Sequence, residues 1–205
     1  MITRTKFKKD YRCFKKGDTF DFQPGVNLLV GDQGAGKSSL LELIRETAAP
    51  ETRAEVTPIL TVLTSKEGIQ VLSYDFEKDN PRIALSLAPG KEMFQIQARF
   101  LSHGQVVQAI QQNVAGYERN KTRSCLFLMD EPDTGLSPRS VYKLVKQLKA
   151  LSKHHQILAS VHNPILIEAW PEVLSLEHRK WMTSAAFMQT MKLPREKSDA
   201  SFLPR

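Results

Sequence analysis

The chain is short of cysteine, and its two thiols are far apart. Only Cys13 and Cys125 occur in 205 residues, with no CxxC pair and no Cys/His cluster. That argues against a disulfide framework and against a zinc site. Cys125 opens the apolar run CLFLM, where a thiol acts as a small buried hydrophobe. No apolar stretch approaches the roughly 20 residues that cross a bilayer, so no membrane span is expected. The basic start, MITRTKFKKDYRCFKK, leads into no apolar h-region, and a secretory leader is not expected either. A cytoplasmic address follows by elimination. Repeats, low-complexity tracts and heptads are also missing, so no long coiled coil interrupts the chain.

Acidic residues are outnumbered, 22 against 29 lysines and arginines, for a net charge of +7. Cations cluster at 4–16 and 119–123, with more scattered over 143–153. Such an excess is compatible with nucleic-acid contact and equally with a solvated basic surface.

Apolar spacing divides the chain into strands and helices. Residues 19–22 alternate as a half-buried strand does, Pro24-Gly25 is a turn signal, and 26–30 is a short apolar strand. SSLLELIRETA has helical spacing and is stopped by Pro50. Strands are expected at 59–63 and 70–76, a helix over 106–118, and a fully apolar strand at 126–129. Ser137-Pro138 is a helix start, with Ser137 as cap and Pro138 at the first position. VYKLVKQLKAL follows with its lysines outward, then strands at 156–161 and 173–176. Strands alternating with helices predict a parallel sheet covered on both faces. The expected organisation is one domain over 1–193 and a mobile polar tail over 194–205.

GDQGAGKS at 31–38 matches GxxxxGK[ST] in full, with an apolar strand before it and an amphipathic helix after. Gly31, Gly34 and Gly36 permit turns closed to residues with a Cβ. The N–H groups of Asp32, Gln33, Ala35 and their neighbours through Ser39 can then converge on phosphate oxygens at a helix N-terminus. Lys37 reaches the terminal phosphates and the Ser38 hydroxyl ligates Mg²⁺. LFLMDEP at 126–132 puts two acids at the end of a buried strand, where such sheets bind ligand. Asp130 is the candidate for the Mg²⁺ shell and Glu131 for the group that polarises an attacking water.

Further elements follow in an order that resembles the ATP-binding-cassette (ABC) ATPases. LSHGQ at 101–105 stands where that family has LSGGQ. PDTGLSP at 132–138 resembles its D-loop, and His162 in SVHNP occupies the place of its switch histidine. Within the family, the chain looks like small stand-alone ATPases of bacteria and phages and like the heads of SMC-type and DNA-repair proteins, without their coiled coil. The resemblance implies ATP and Mg²⁺ as ligands. It implies an α/β P-loop fold with an N-terminal antiparallel β region and a reduced signature subdomain near 50–120. It implies a dimer in which Ser102, His103, Gly104 and Gln105 of one subunit close on ATP held at Lys37 of the other, with His162 bonding the terminal phosphate or the attacking water. His103 departs from the family's glycine, and Ser137 stands where transporters have aspartate. No Q-loop glutamine is evident, which leaves Glu77 as the metal-side candidate. Tyr11 or Phe14 is a candidate to stack on adenine, though each suits a core or surface position better.

A separate effector protein is expected, docked between Thr52 and Lys91 or on the tail. Three other readings stay open: a slow or non-hydrolysing nucleotide-gated module, a nucleic-acid clamp of the repair-head kind, and an importer or exporter subunit.

Overall fold

In the computed structural model, residues 1–48, 58–65, 70–75 and 124–192 are described. Glu77, Ser102, His103, Gly104, Gln105, the helix expected over 106–118 and the tail lie outside them.

The chain opens with β1 (Ile2–Phe7), β2 (Thr19–Asp21) and β3 (Val26–Val30), followed by α1 (Lys37–Ala48). Then come β4 (Leu60–Thr64), β5 (Gln70–Asp75) and β6 (Cys125–Asp130). The next helix, α2 (Pro138–Leu151), leads to β7 (Gln156–Ser160), α3 (Pro164–Glu168), β8 (Glu172–Ser175), β9 (Lys180–Thr183) and α4 (Ser184–Lys192). The strands expected at 19–22, 26–30, 59–63, 70–76, 126–129, 156–161 and 173–176 all form, within a residue or two. β1, β9, α3 and α4 had no comparable signal. In β1 the apolar Ile2 and Phe7 are separated by Arg4 and Lys6, which point outward.

β1 is paired antiparallel on both sides, in the order β2-β1-β4. The second sheet has the order β5-β6-β7-β3-β8-β9 and is parallel throughout except for the β8–β9 pair. The expected mainly parallel sheet with an antiparallel N-terminal region is therefore what folds. Side-chain alternation in the central strands divides the core in two. Leu126, Leu128, Leu29 and Leu158 face α1 and the N-terminal sheet, whereas Phe127, Met129, Leu28, Val30, Ile157 and Ala159 face α2, α3 and α4. Both faces are covered, which is why these strands read as continuous apolar runs.

Two buried amides position β1 and β3. The Gln156 side chain accepts from Ile2 N at 2.8 Å and donates to Ile2 O at 2.8 Å, substituting for a strand neighbour. Asn27 Oδ1 accepts from Gln23 N at 2.8 Å while its Nδ2 donates back to Gln23 O at 2.8 Å. Ser137 caps α2 as its sequence suggests, accepting from Ser140 N with Pro138 in the first turn. Among the described residues, no helix is long and apolar enough to cross a membrane.

Candidate functional site

Strand geometry brings the candidates together. β3, β6 and β7 are parallel neighbours, so their C-terminal ends fall on one edge of the sheet. β3 runs into the glycine-rich loop, β6 delivers Asp130 and Glu131, and β7 delivers Ser160 and His162. A cavity of about 290 Å³ opens there, with Gly34, Gly36, Lys37, Ser38, Glu131 and His162 in its wall. Gln33 and Ser39 line it as well, while Gly31, Asp32, Ala35 and Asp130 do not.

Lys37 is buried, with 6% of its surface exposed. Its ammonium donates to Gly31 O at 2.8 Å and Asp32 O at 3.0 Å. Burial lowers its pKa from the ordinary 10.5, and the charges of Glu131 and Asp130 partly oppose that shift. The loop's own carbonyls thus hold the cation in place for an anion.

Glu131 has φ +49°, in the left-handed region unfavourable to a residue with a Cβ. Three contacts hold it there. Its N–H donates to Ser160 Oγ at 2.9 Å, and Thr134 Oγ1 donates to its Oε2 at 3.1 Å. His162 Nε2 lies 3.3 Å from its Oε1. Ser160 Oγ in turn donates to Asp130 Oδ1. One serine therefore fixes both acids at once. Sequence reasoning missed Ser160, because its register opposite Asp130 exists only once β6 and β7 pair.

Asp133 was missed for the same reason. It is 6% exposed, and its Oδ2 accepts from His162 N at 3.0 Å and Asn163 N at 2.7 Å. Its Oδ1 is buried with no hydrogen-bond partner among the described residues. The loop after β6 is thereby tied to the loop that carries His162. Burial raises the Asp133 carboxyl above the usual 3.8, against the backbone donors that lower it. The folded state therefore keeps this proton to higher pH than the unfolded chain does. The associated stability is full below 3.8 and is lost as pH rises through the folded value. Asp133→Asn cannot ionise, so its melting temperature relative to wild type should climb as pH rises above 3.8. A difference that stays flat with pH, measured by thermal melts across a buffer series, would refute the buried-acid account.

Phe14 cannot take part in base stacking. It is 2% exposed, stacked on Phe7 at 4.4 Å between ring centroids and edge-on to Phe20 at 5.7 Å. Its neighbours Arg12 and Cys13 line the cavity instead. Arg12 Nη1 donates to Ser39 Oγ at 2.6 Å, and Arg12 Cζ lies 5.2 Å from the Tyr11 ring centroid. Cys125 is buried, as expected.

The donor set at this edge suits a divalent cation. Ser38 supplies a hydroxyl in the cavity wall and Asp130 a carboxylate at the adjoining strand end. Among the described residues no cluster of three His, Cys, Asp or Glu could hold a metal alone. Hydroxyl plus carboxylate fits Mg²⁺, which keeps most of its shell as water and substrate phosphate.

A family model described as an AAA domain matches residues 9–127, more than half of the chain. The chain belongs to the AAA domain family. Its fold and motifs are those of an ABC-type P-loop ATPase. One similar solved structure is an ATP-binding cassette caught as a post-hydrolysis dimer with ADP and phosphate. It is 13% identical, with TM-score 0.54, over 90% of this chain and 99% of that one. Another is the ATP-binding subunit of an ABC transporter, 16% identical with TM-score 0.53, over 94% of each chain. ABC transporter G family member 1 of Petunia hybrida is 24% identical over 90% of this chain and 33% of its own length. ABC transporter G family member 8 of Arabidopsis thaliana is 24% identical over 66% of this chain and 27% of its own. The AAA domain chain thus spans about a third or less of these curated relatives. Family membership points to nucleotide binding.

Proposed function

We propose that the chain binds and hydrolyses Mg-ATP, and that two copies close on two nucleotides to pass a conformational change to a partner. The observation that carries this reading is the meeting of Lys37, Glu131 and His162 in one cavity at the strand ends. Lys37 exchanges its hydrogen bonds to Gly31 O and Asp32 O for the terminal phosphates of ATP. The amides of the loop from Gly31 to Ser39 take the remaining phosphate oxygens. Ser38 and Asp130 are the residues to hold Mg²⁺, which when bound offsets the negative charge of the phosphates. Glu131, held by Thr134 and Ser160, accepts the proton of an attacking water. His162, tied by Asp133, is aimed at the same place.

The signature residues Ser102, His103, Gly104 and Gln105 are proposed to close on the terminal phosphate from the second copy, and Glu77 to stand on the metal side. These roles rest on the family resemblance; a cytoplasmic location, a separate effector protein and a single domain over 1–193 are proposed with them. Two titrations test the reading. Lys37→Ala should weaken Mg-ATP binding about 10–150-fold, the equivalent of losing a hydrogen bond to a charged group. Light scattering should show a monomer that becomes a dimer only with Mg-ATP, and Ser102→Arg should prevent the change. A mass indifferent to ATP, with binding demonstrated, would overturn the shared site.

A further inference from the structure

The net charge of +7 is distributed unevenly over the fold. In the N-terminal region three cations meet acids: Arg4 pairs with Asp21, Arg12 with Glu42 and Lys15 with Asp10. Helix α2 is different, because its 14 residues include no Asp or Glu. At about 100° per residue, Arg139, Tyr142, Lys143, Lys146 and Lys149 fall within an arc of about 120°. All five are exposed, opposite the buried Val141, Leu144, Val145 and Leu148. Lys153, just past the Ser152 cap, continues the arc, so the cations run about 21 Å along the axis.

None of these five cations forms a salt bridge among the described residues. Like charges one turn apart repel each other, so the face is best neutralised by an external polyanion. Two aromatics accompany it. Tyr142 is 59% exposed, and Lys149 Nζ lies 5.5 Å from the centroid of the Trp170 ring. A membrane surface fits less well, because the apolar side of α2 is spent on the core and nothing is left to insert.

We infer that this face of α2 binds single-stranded nucleic acid, with Arg139, Lys143, Lys146, Lys149 and Lys153 on phosphates and Tyr142 stacked on a base. The surface lies on the far side of α2 from the core, and binding there does not depend on ATP turnover. The helix begins seven residues after Glu131, so an occupied face adjoins the loop that orients the acid.

The test is anisotropy of a labelled oligothymidylate titrated with the full chain at several salt concentrations. Five phosphate contacts predict a log–log salt slope of about −3.5. Lys143→Glu with Lys146→Glu should weaken binding about tenfold or more and make the slope shallower by about 1.4. Lys6→Glu with Lys9→Glu changes the net charge equally and should stay within about twofold of wild type. Tyr142→Ala should weaken binding at an unchanged slope. No binding by the wild type, or equal losses in the two double variants, overturns the inference. So does capture by phosphatidylglycerol vesicles without oligonucleotide binding, which would assign the face to a lipid surface.

Discussion

Gly36→Ala is expected to lower unfolding stability by about 2–4 kcal/mol, before any nucleotide is considered. Gly36 has φ +90°, and a Cβ there would lie 2.5 Å from Cys13 Sγ, 2.5 Å from Phe14 Cζ and 2.8 Å from Phe14 Cε2. The thiol is exposed and can swing away. The ring cannot, because Phe7 and Phe20 hold it on two sides. The phosphate loop must therefore lift off the 13–14 turn or the aromatic cluster must shift. Gly34→Ala separates backbone strain from overlap: its φ is +84°, but a Cβ there meets nothing within 4 Å. That variant should lose only about 1–2 kcal/mol. Urea titrations of the nucleotide-free variants decide the matter. Equal losses at 34 and 36 would mean that packing on Phe14 is unimportant.

Much of this arrangement is legible in the sequence, because much of it is local. The glycine loop, its flanking strand and helix, the DE pair after four apolar residues, and the Ser137-Pro138 cap all declare themselves within a few positions. What stays hidden depends on separation. Ser160 contacts the acids 29 and 30 residues away. Asp133 binds backbone 29 and 30 residues on, and no local pattern marks either role. Phe14 lies in a basic stretch that reads as surface, yet it completes a three-ring cluster because Phe7 and Phe20 come from paired strands. The partners of three N-terminal cations stay hidden too. Arg4, Arg12 and Lys15 stand out in a list of residues, and only folding shows Asp21, Glu42 and Asp10 beside them.

Glu131→Gln is expected to slow ATP hydrolysis about 10²–10⁴-fold while ATP affinity changes little. Glutamine keeps the shape, the oxygen that accepts from Thr134 and the backbone N–H to Ser160. It cannot take a proton from water. The ATP-dependent dimer should outlast that of the wild type, because the reaction that ends it is stalled. Steady-state phosphate release alongside nucleotide titration gives both quantities. A variant that hydrolyses at the wild-type rate would remove Glu131 from the chemistry. Glu131→Gly adds an independent reading of the same position. With φ +49° at residue 131, glycine should raise the melting temperature while abolishing turnover, as strain kept for function predicts. A fall in melting temperature would mean that the side-chain contacts to Thr134 and His162 outweigh the backbone strain.

The position of β3 has a consequence for the order of events during synthesis. This strand carries the phosphate loop, and its two sheet partners are β7 and β8. Both are made more than a hundred residues later. At about 5–20 residues per second, a ribosome takes several seconds or more to cover that distance. Through that interval the loop has no sheet beneath it. The phosphate loop thus gains its supporting sheet only once β7 and β8 have been made, after the acids of β6 have already emerged.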